Sequence, residues 1–293
     1  MEDFDVIIVG GSYSGLAAAM SLGRALVRVL VIDSGVPCNR QTPYSHNFLT
    51  RDGQTPRQIA TIAKQQVQEY KTVTLFRGVA VSGRRFETGW EIAVVSGEVF
   101  RAGRLVFATG ISDILPSIEG LSECWGISVL HCPYCHGYEV AGVRTGILAN
   151  GDNAFEMATL ISNWTKDLTV YGSGLTREQG ALLAGHGIGV VDKAVARVDH
   201  VDGYIQHLVF DDGSMAPVKV LYTRAPFVQH CPIPAVLGCG MTEEGYIKAG
   251  FRSGDQFARR LRLRRQCLAD AHRCPCRGGG DDGRNSDQQK NDY

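Results

Sequence analysis

The chain has no excess of either charge: 30 basic side chains face 30 acidic ones over 293 residues. That balance gives no electrostatic reason to bind nucleic acid or an anionic membrane surface. It also lacks any apolar run of about 18 residues, the least that a membrane-spanning helix requires. Its first residues, Met-Glu-Asp-Phe-Asp, are acidic where a secretory leader is basic. Together these absences predict a cytoplasmic protein. Valine and isoleucine are missing from residues 250–293, a stretch that carries nine Arg, one Lys and six Asp. Such a composition buries little apolar surface and reads as an aberrant, disordered tail. Its arginine run, Arg259, Arg260, Arg262, Arg264 and Arg265, has no interleaved aromatics and is not read as a nucleic-acid contact. Cysteine, by contrast, is not scarce. In a cytosolic chain, nine of them are expected to be free, catalytic or metal-binding rather than paired in structural disulfides. The length accommodates two domains, each with its own core.

Residues 5–9, Asp-Val-Ile-Ile-Val, are a short β-branched run of the kind buried on both faces of a parallel sheet. A turn of Gly10, Gly11, Ser12, Tyr13, Ser14 and Gly15 follows, then a helical pattern from Leu16 to Leu26 and a second strand, Val29–Ile32, ending at Asp33. This strand–turn–helix–strand unit suits a dinucleotide. The tight glycine turn lets backbone approach a pyrophosphate, the helix start offers free N–H groups, and Asp33 can accept hydrogen bonds from a ribose. Ser12 stands where the fingerprint has its second glycine, which predicts a slightly wider approach. Another strand runs from Arg104 into the turn Ala108-Thr109-Gly110.

Residues 131–139 read His-Cys-Pro-Tyr-Cys-His-Gly-Tyr-Glu. Two cysteines two residues apart, Cys132 and Cys135, can close a small disulfide ring suited to thiol–disulfide exchange. They can equally be half of a zinc site or a merely buried pair. His136 is a candidate acid/base, because an imidazole titrates near neutral pH. Cys38, Cys124, Cys231 and Cys239 are expected to be buried thiols, and Trp164 and Tyr171 core residues.

Taken in order, the Gly10–Leu16 turn, Ala108–Gly110 and Cys132–Glu139 resemble the low-molecular-weight thioredoxin reductase family of pyridine-nucleotide:disulfide oxidoreductases. The likeness extends over about residues 1–248, including Asn39-Arg40 and Ser45-His46-Asn47-Phe48-Leu49. It implies an α/β fold of two Rossmann-like, three-layer dinucleotide-binding domains, the flavin domain being discontinuous. On that pattern residues 1–113 begin the FAD domain, 114–222 are an inserted nucleotide domain carrying the dithiol, 223–249 return to the FAD domain and 250–293 are the aberrant tail. The resemblance adds Asn39, Arg40, His46 and Asn47 to Gly10, Gly11, Ser12, Ser14, Gly15, Asp33, Ala108, Thr109 and Gly110 as FAD-binding residues. It makes Cys135 the sulfur that faces the flavin and Cys132 the one that attacks an outside disulfide. It also implies NAD(P)H as donor, a thioredoxin-like protein or a small disulfide or dithiol as partner, and a homodimer. A dithiol oxidase that uses oxygen, and an inactive remnant with impaired FAD binding, are the two rival readings.

Two segments depart from the family pattern. In the second glycine turn, Thr145–Ala154, Ala149 replaces the first glycine, while Gly151 and Ala154 keep the other two positions. After Tyr171 the chain reads Gly-Ser-Gly-Leu-Thr-Arg-Glu, where relatives carry arginines for a 2′-phosphate; Arg177 alone is present. Three readings therefore stay open: NADPH held differently, NADH, or no nicotinamide at all with electrons arriving otherwise. Beyond Lys248 the family's closing segment is missing, and a frameshift is the expectation. Displaced by one base, codons for Gln256–Gln266 can read Asn-Ser-Pro-Gly-Val-Tyr-Ala-Cys-Gly-Gly-Asn, which has the missing landmarks in order.

Overall fold

The computed structural model describes residues 3–248 and 260–262. The chain opens with β1 (Asp3–Val9), α1 (Tyr13–Arg24), β2 (Val29–Asp33), α2 (Pro56–Gln68) and β3 (Val73–Arg77). A meander of β4 (Ala80–Phe86), β5 (Gly89–Val94) and β6 (Val99–Phe107) follows. Runs of Val and Ile at β1 and β2 are buried on both faces, which is why they pair in parallel at the sheet centre. The sheet order is β3-β2-β1-β6-β5-β4. Helix α1 presses small residues, Gly15, Ala18, Ala19 and Gly23, against it. A Cβ on Gly23 would lie 2.8 Å from Val73 and 2.9 Å from Tyr70, so the close approach needs glycine there. Helix α2 starts at a capping box in which Thr55 and Gln58 satisfy each other's backbone N–H groups, with Pro56 in the first turn. Such a cap is worth about 1 kcal/mol.

Strand β7 (Ile111–Asp113) leaves this sheet and pairs antiparallel with the later β16 (Phe227–Gln229). Between them lie α3 (Leu121–Cys124), β8 (Val129–Leu130), α4 (Pro133–His136), β9 (Thr145–Leu148), α5 (Gly151–Ile161), β10 (Leu168–Tyr171), α6 (Arg177–Gly185) and β11 (Gly189–Val191). Next come the three-stranded β12 (Val195–Val201), β13 (Tyr204–Phe210) and β14 (Met215–Pro217), and then β15 (Val220–Tyr222). The second parallel sheet has the order β11-β10-β9-β15-β8. A capping box of Thr176 and Gln179 starts α6 as Thr55 and Gln58 start α2. After β16, helix α7 (Ile233–Val236) brings Cys231 and Ile233 into the core of the first sheet, beside Ile92 and Leu105.

The last described element is β17 (Arg260–Arg262), parallel to β6 with Arg260 opposite Leu105 and Arg262 opposite Phe107. Within the stretch whose composition reads as disordered, these three residues therefore form a strand. Residues 249–259 and 263–293, on which the rest of that reading falls, lie outside the described residues. The displaced reading frame would allow Val-Tyr-Ala at 260–262, the same three positions that pair with β6. No helix among the described residues is long and apolar enough to cross a membrane.

Candidate active site

The first glycine turn is built by close backbone packing. Gly10 sits at φ +104°, and a Cβ there would lie 2.3 Å from the Ala108 carbonyl oxygen. A Cβ on Gly15 would lie 1.8 Å from the Gly10 carbonyl oxygen. Only glycine fits at either position, because the turn is pinned between β1 and the Ala108-Thr109-Gly110 turn after β6. The Gly10 N–H donates to Ile32 O at 2.8 Å, and the Gly11 N–H donates to Asp33 Oδ1 at 3.2 Å. Ser12 is the N-cap of α1, and its side chain makes no cap hydrogen bond. Asp33 is half-buried, and its second oxygen takes a hydrogen bond from Lys64 Nζ at 3.0 Å. Tyr13 Oη is buried there without a hydrogen-bond partner. A close-packed glycine cradle, free helix N–H groups, a ribose-height carboxylate and an orphaned hydroxyl together fit the adenine half of FAD.

Asn39 and Arg40 lie in the turn after β2, with the Arg40 N–H donating to Pro37 O at 3.3 Å; Arg40 is exposed. His46 and Asn47 lie on a loop closed by a bridge between Ser45 and Gln54. Asn47 has φ +58° and donates its N–H to Asp52 Oδ1 at 2.7 Å. This loop reaches the redox turn: His46 Nδ1 lies 3.2 Å from Glu139 Oε1 and 3.8 Å from Asp52 Oδ2. His46 Nδ1 has no aligned hydrogen-bond acceptor, so the contact with Glu139 has ion-pair distance without hydrogen-bond geometry.

Cys132 and Cys135 form a disulfide with a Cα–Cα distance of 5.3 Å. The short helix α4 explains the closure. Cys132 is its N-cap and Cys135 lies three residues on, and one helical turn sets them within disulfide range. Both are half-buried. The turn is held from outside by Trp164, which meets Tyr134 edge-on at 5.4 Å between ring centroids. Gly137 closes it, because a Cβ there would lie 2.4 Å from Pro133 O and 2.8 Å from the Trp164 ring. His131, just before Cys132, stacks on Trp125 at 5.6 Å. Burial holds the His136 imidazole below its ordinary pKa; nearby His131 pushes it the same way, while Glu139 opposes. His136 is thus kept neutral near pH 7 and able to accept a proton. Burial, with Glu139 nearby, raises the Tyr222 phenol above its ordinary value, so Tyr222 stays protonated.

Of the remaining cysteines, Cys124, Cys231 and Cys239 are buried, as expected, but Cys38 is exposed. Cys38 lies in the irregular chain after β2, outside the helices and strands whose apolar faces bury the other three. Tyr171 is a core residue, tilted against Phe210, whereas Trp164 is only half-buried and braces the redox turn. Pattern reading passed over Lys64 and Asp52, and it gave Glu139 no role. Lys64 lies 31 residues from Asp33, and no local spacing announces such a pairing. Glu139 did stand at the end of the cysteine motif, where its charge was the available signal.

The second glycine turn follows β9. Gly151 has φ +53° and donates its N–H to Ser173 O at 2.9 Å, and Ala154 is fully buried. Asn150, the N-cap of α5, makes no cap bond to its own helix. Its Oδ1 instead accepts from the Ser173 N–H at 2.8 Å. Arg224 lies beside this helix start, with Nη1 donating to Asn153 Oδ1 at 2.8 Å. A helix N-terminus beside a guanidinium fits a pyrophosphate.

The pyridine nucleotide-disulphide oxidoreductase family model matches residues 4–205. Thioredoxin reductase aclD of Aspergillus oryzae is 31% identical over 225 residues, covering 72% of this chain and 71% of that protein. Thioredoxin reductase tcpT of Claviceps purpurea is 29% identical over 257 residues, covering 83% of this chain and 80% of that protein. A solved oxidoreductase from Agrobacterium tumefaciens shares 32% identity with a TM-score of 0.83, each chain covered over 89% of its length. With its two parallel dinucleotide-type sheets and its paired cysteines, the chain belongs to the pyridine nucleotide-disulphide oxidoreductase family, thioredoxin reductase-like oxidoreductases whose members use FAD and NAD(P)H.

Proposed function

We propose that the chain carries two electrons from a reduced nicotinamide, by way of FAD, to the Cys132–Cys135 disulfide and on to an outside disulfide. That disulfide belongs to a thioredoxin-like protein or a small molecule. The observation that carries this reading is the half-buried Cys132–Cys135 disulfide, flanked by His131 and His136 and met across the fold by the His46 loop. Bound FAD would supply a two-electron carrier between hydride donor and sulfur pair. Gly10, Gly11, Ser12, Ser14 and Gly15 would hold its pyrophosphate and Asp33 its ribose, with Ala108–Gly110 backing the turn. Asn39, Arg40, His46 and Asn47 would contact the same cofactor, and His46 lies 3.2 Å from Glu139, which follows the dithiol turn.

Two electrons and two protons open the internal S–S bond to two thiols. The Cys132 thiolate attacks the outside disulfide, forming a mixed disulfide and expelling one thiolate. The Cys135 thiolate then attacks Cys132 Sγ, which restores the internal bond and releases the second thiolate. Neutral His136 accepts the thiol proton and returns it to a departing thiolate. We also assign the chain to two units, a flavin unit of 1–113 resumed at 223–249 and an inserted unit of 114–222. The β7–β16 ribbon at the crossing and the packing of Cys231 and Ile233 on the first sheet support that division.

The test is reduction of a chromogenic aromatic disulfide by flavin-loaded protein. Cys132→Ser and Cys135→Ser should each cost at least about 1000-fold, and His136→Gln about 100-fold. An unchanged rate in either serine variant sinks the proposal. Oxygen uptake driven by a dithiol, with no disulfide reduction, would replace it with the oxidase reading.

A further inference from the structure

A cavity of about 600 Å³ opens at the C-terminal ends of β9, β10 and β15. In the order β11-β10-β9-β15-β8, winding reverses at β9, and a doubly wound sheet takes its ligand at such a reversal. Leu148, Ala149, Asn150, Ser173, Thr223 and Arg224 are among the lining residues. Granted the reading above, this cavity is where a nicotinamide dinucleotide would lie, and its charges discriminate between the two forms.

A 2′-phosphate brings close to two negative charges and is normally met by arginine at the end of the second strand of the unit. Among the described residues the cations lining this cavity are Lys193 and Arg224, and each is already engaged. Lys193 Nζ lies 2.7 Å from Asp212 Oδ2 and 3.0 Å from Ser214 Oγ. Arg224 Nη1 lies 3.2 Å from Glu156 Oε2 as well as bonding Asn153. Asp192, also on the lining, adds a negative charge. Arg177 is exposed at the start of α6 and outside the lining.

Strand register sharpens the point. Val9 pairs with Ile32 in the first unit and Leu148 with Tyr171 in the second, so Gly172 occupies the position of Asp33. A Cβ on Gly172 would lie 1.9 Å from Ala149 O and 2.8 Å from Asn150 Oδ1. No side chain of either charge fits there. The Asn150 amide fills the place, with Oδ1 held by Ser173 and its NH₂ group left to donate to a hydroxyl.

We propose that this cavity takes a nicotinamide dinucleotide without a 2′-phosphate, NADH rather than NADPH, and that Asn150 and Ser173 set the choice. The neutral amide and hydroxyl tolerate a ribose 2′-OH and offer no counter-charge to a phosphate there.

The test needs no turnover. Full-length protein is titrated calorimetrically with ADP-ribose and with its 2′-phosphate. ADP-ribose should bind at least 10-fold more tightly. Ser173→Arg, an exposed position, should narrow that ratio to about 1 or invert it, and Arg177→Ala should leave both affinities unchanged. Equal or tighter binding of the 2′-phosphate by the parent chain overturns the proposal. Binding of neither fragment overturns it as well; the dithiol chemistry is read separately, by repeating the serine-variant assay with a chemically reduced flavin in place of the nicotinamide.

Discussion

The chain contains two strand–turn–helix–strand units, β1-α1-β2 and β9-α5-β10, that share a strand register and differ at its end. In the first, β2 ends on Asp33, which holds the Gly11 N–H and Lys64. In the second the matching residue is Gly172, crowded by Ala149 and Asn150. The same backbone plan therefore ends on a carboxylate once and on a glycine once. A βαβ turn specifies where a dinucleotide lies, and the residue at the end of the second strand bears on which one.

The largest effect that would sharpen this comparison is at Gly10. Gly10→Ala places a Cβ 2.3 Å from Ala108 O at φ +104°, a strain of about 2–4 kcal/mol. Visible flavin absorbance of the purified protein should fall below a tenth of the parent's, while Ala149→Gly in the second unit leaves it unchanged. Equal flavin content in Gly10→Ala would break the comparison. Next comes Asp33→Ala, which removes a charged acceptor and should weaken flavin binding by about 2 kcal/mol in an equilibrium titration. The converse change, Gly172→Asp, should lower the melting temperature without gaining nucleotide affinity, because its Cβ meets backbone.

A smaller effect concerns pH. The folded pKa of His136 lies below its ordinary 6.5, so the imidazole stays neutral as pH falls through 6.5 and becomes protonated only further down. The rate of disulfide reduction should be flat across neutral pH and decline only below the ordinary imidazole range. His136→Gln should abolish that acid limb; a limb that persists assigns it to another group. Smallest is thiol labelling of the native protein at pH 8. Burial lifts the Cys124 thiol to about 11, which leaves about one part in a thousand as thiolate. Exposed Cys38 should alkylate first and Cys124 only on unfolding.

The tail sets a further contrast. Strand β17 takes the slot beside Leu105, Val106 and Phe107, all buried, with the sequence Arg260-Leu261-Arg262. Reading the coding DNA one base out of frame should reveal Val-Tyr-Ala at those codons, and stop codons in that frame would end the idea. If the frame is intact, the repaired protein should hold more flavin than this chain.

Local order is legible in the residues themselves. β-Branched runs announced β1, β2 and the end of β6, the glycine cluster announced the first turn, and Cys132 and Cys135 announced the redox pair. Each of these rests on neighbours within a few residues, and periodicity and steric preference act over that range. Strand β4 left a weaker trace, since its residues are exposed or only half-buried.

By itself, then, the sequence determined two nucleotide-type units, a cysteine pair and the family to which they belong. The tertiary structure alone decided that Lys64 neutralises Asp33, that Glu139 meets His46, that Trp164 braces the dithiol and that Gly172 stands where an acid would be. These pairings join residues tens of positions apart, and only the packing of sheets and loops in space sets their distances.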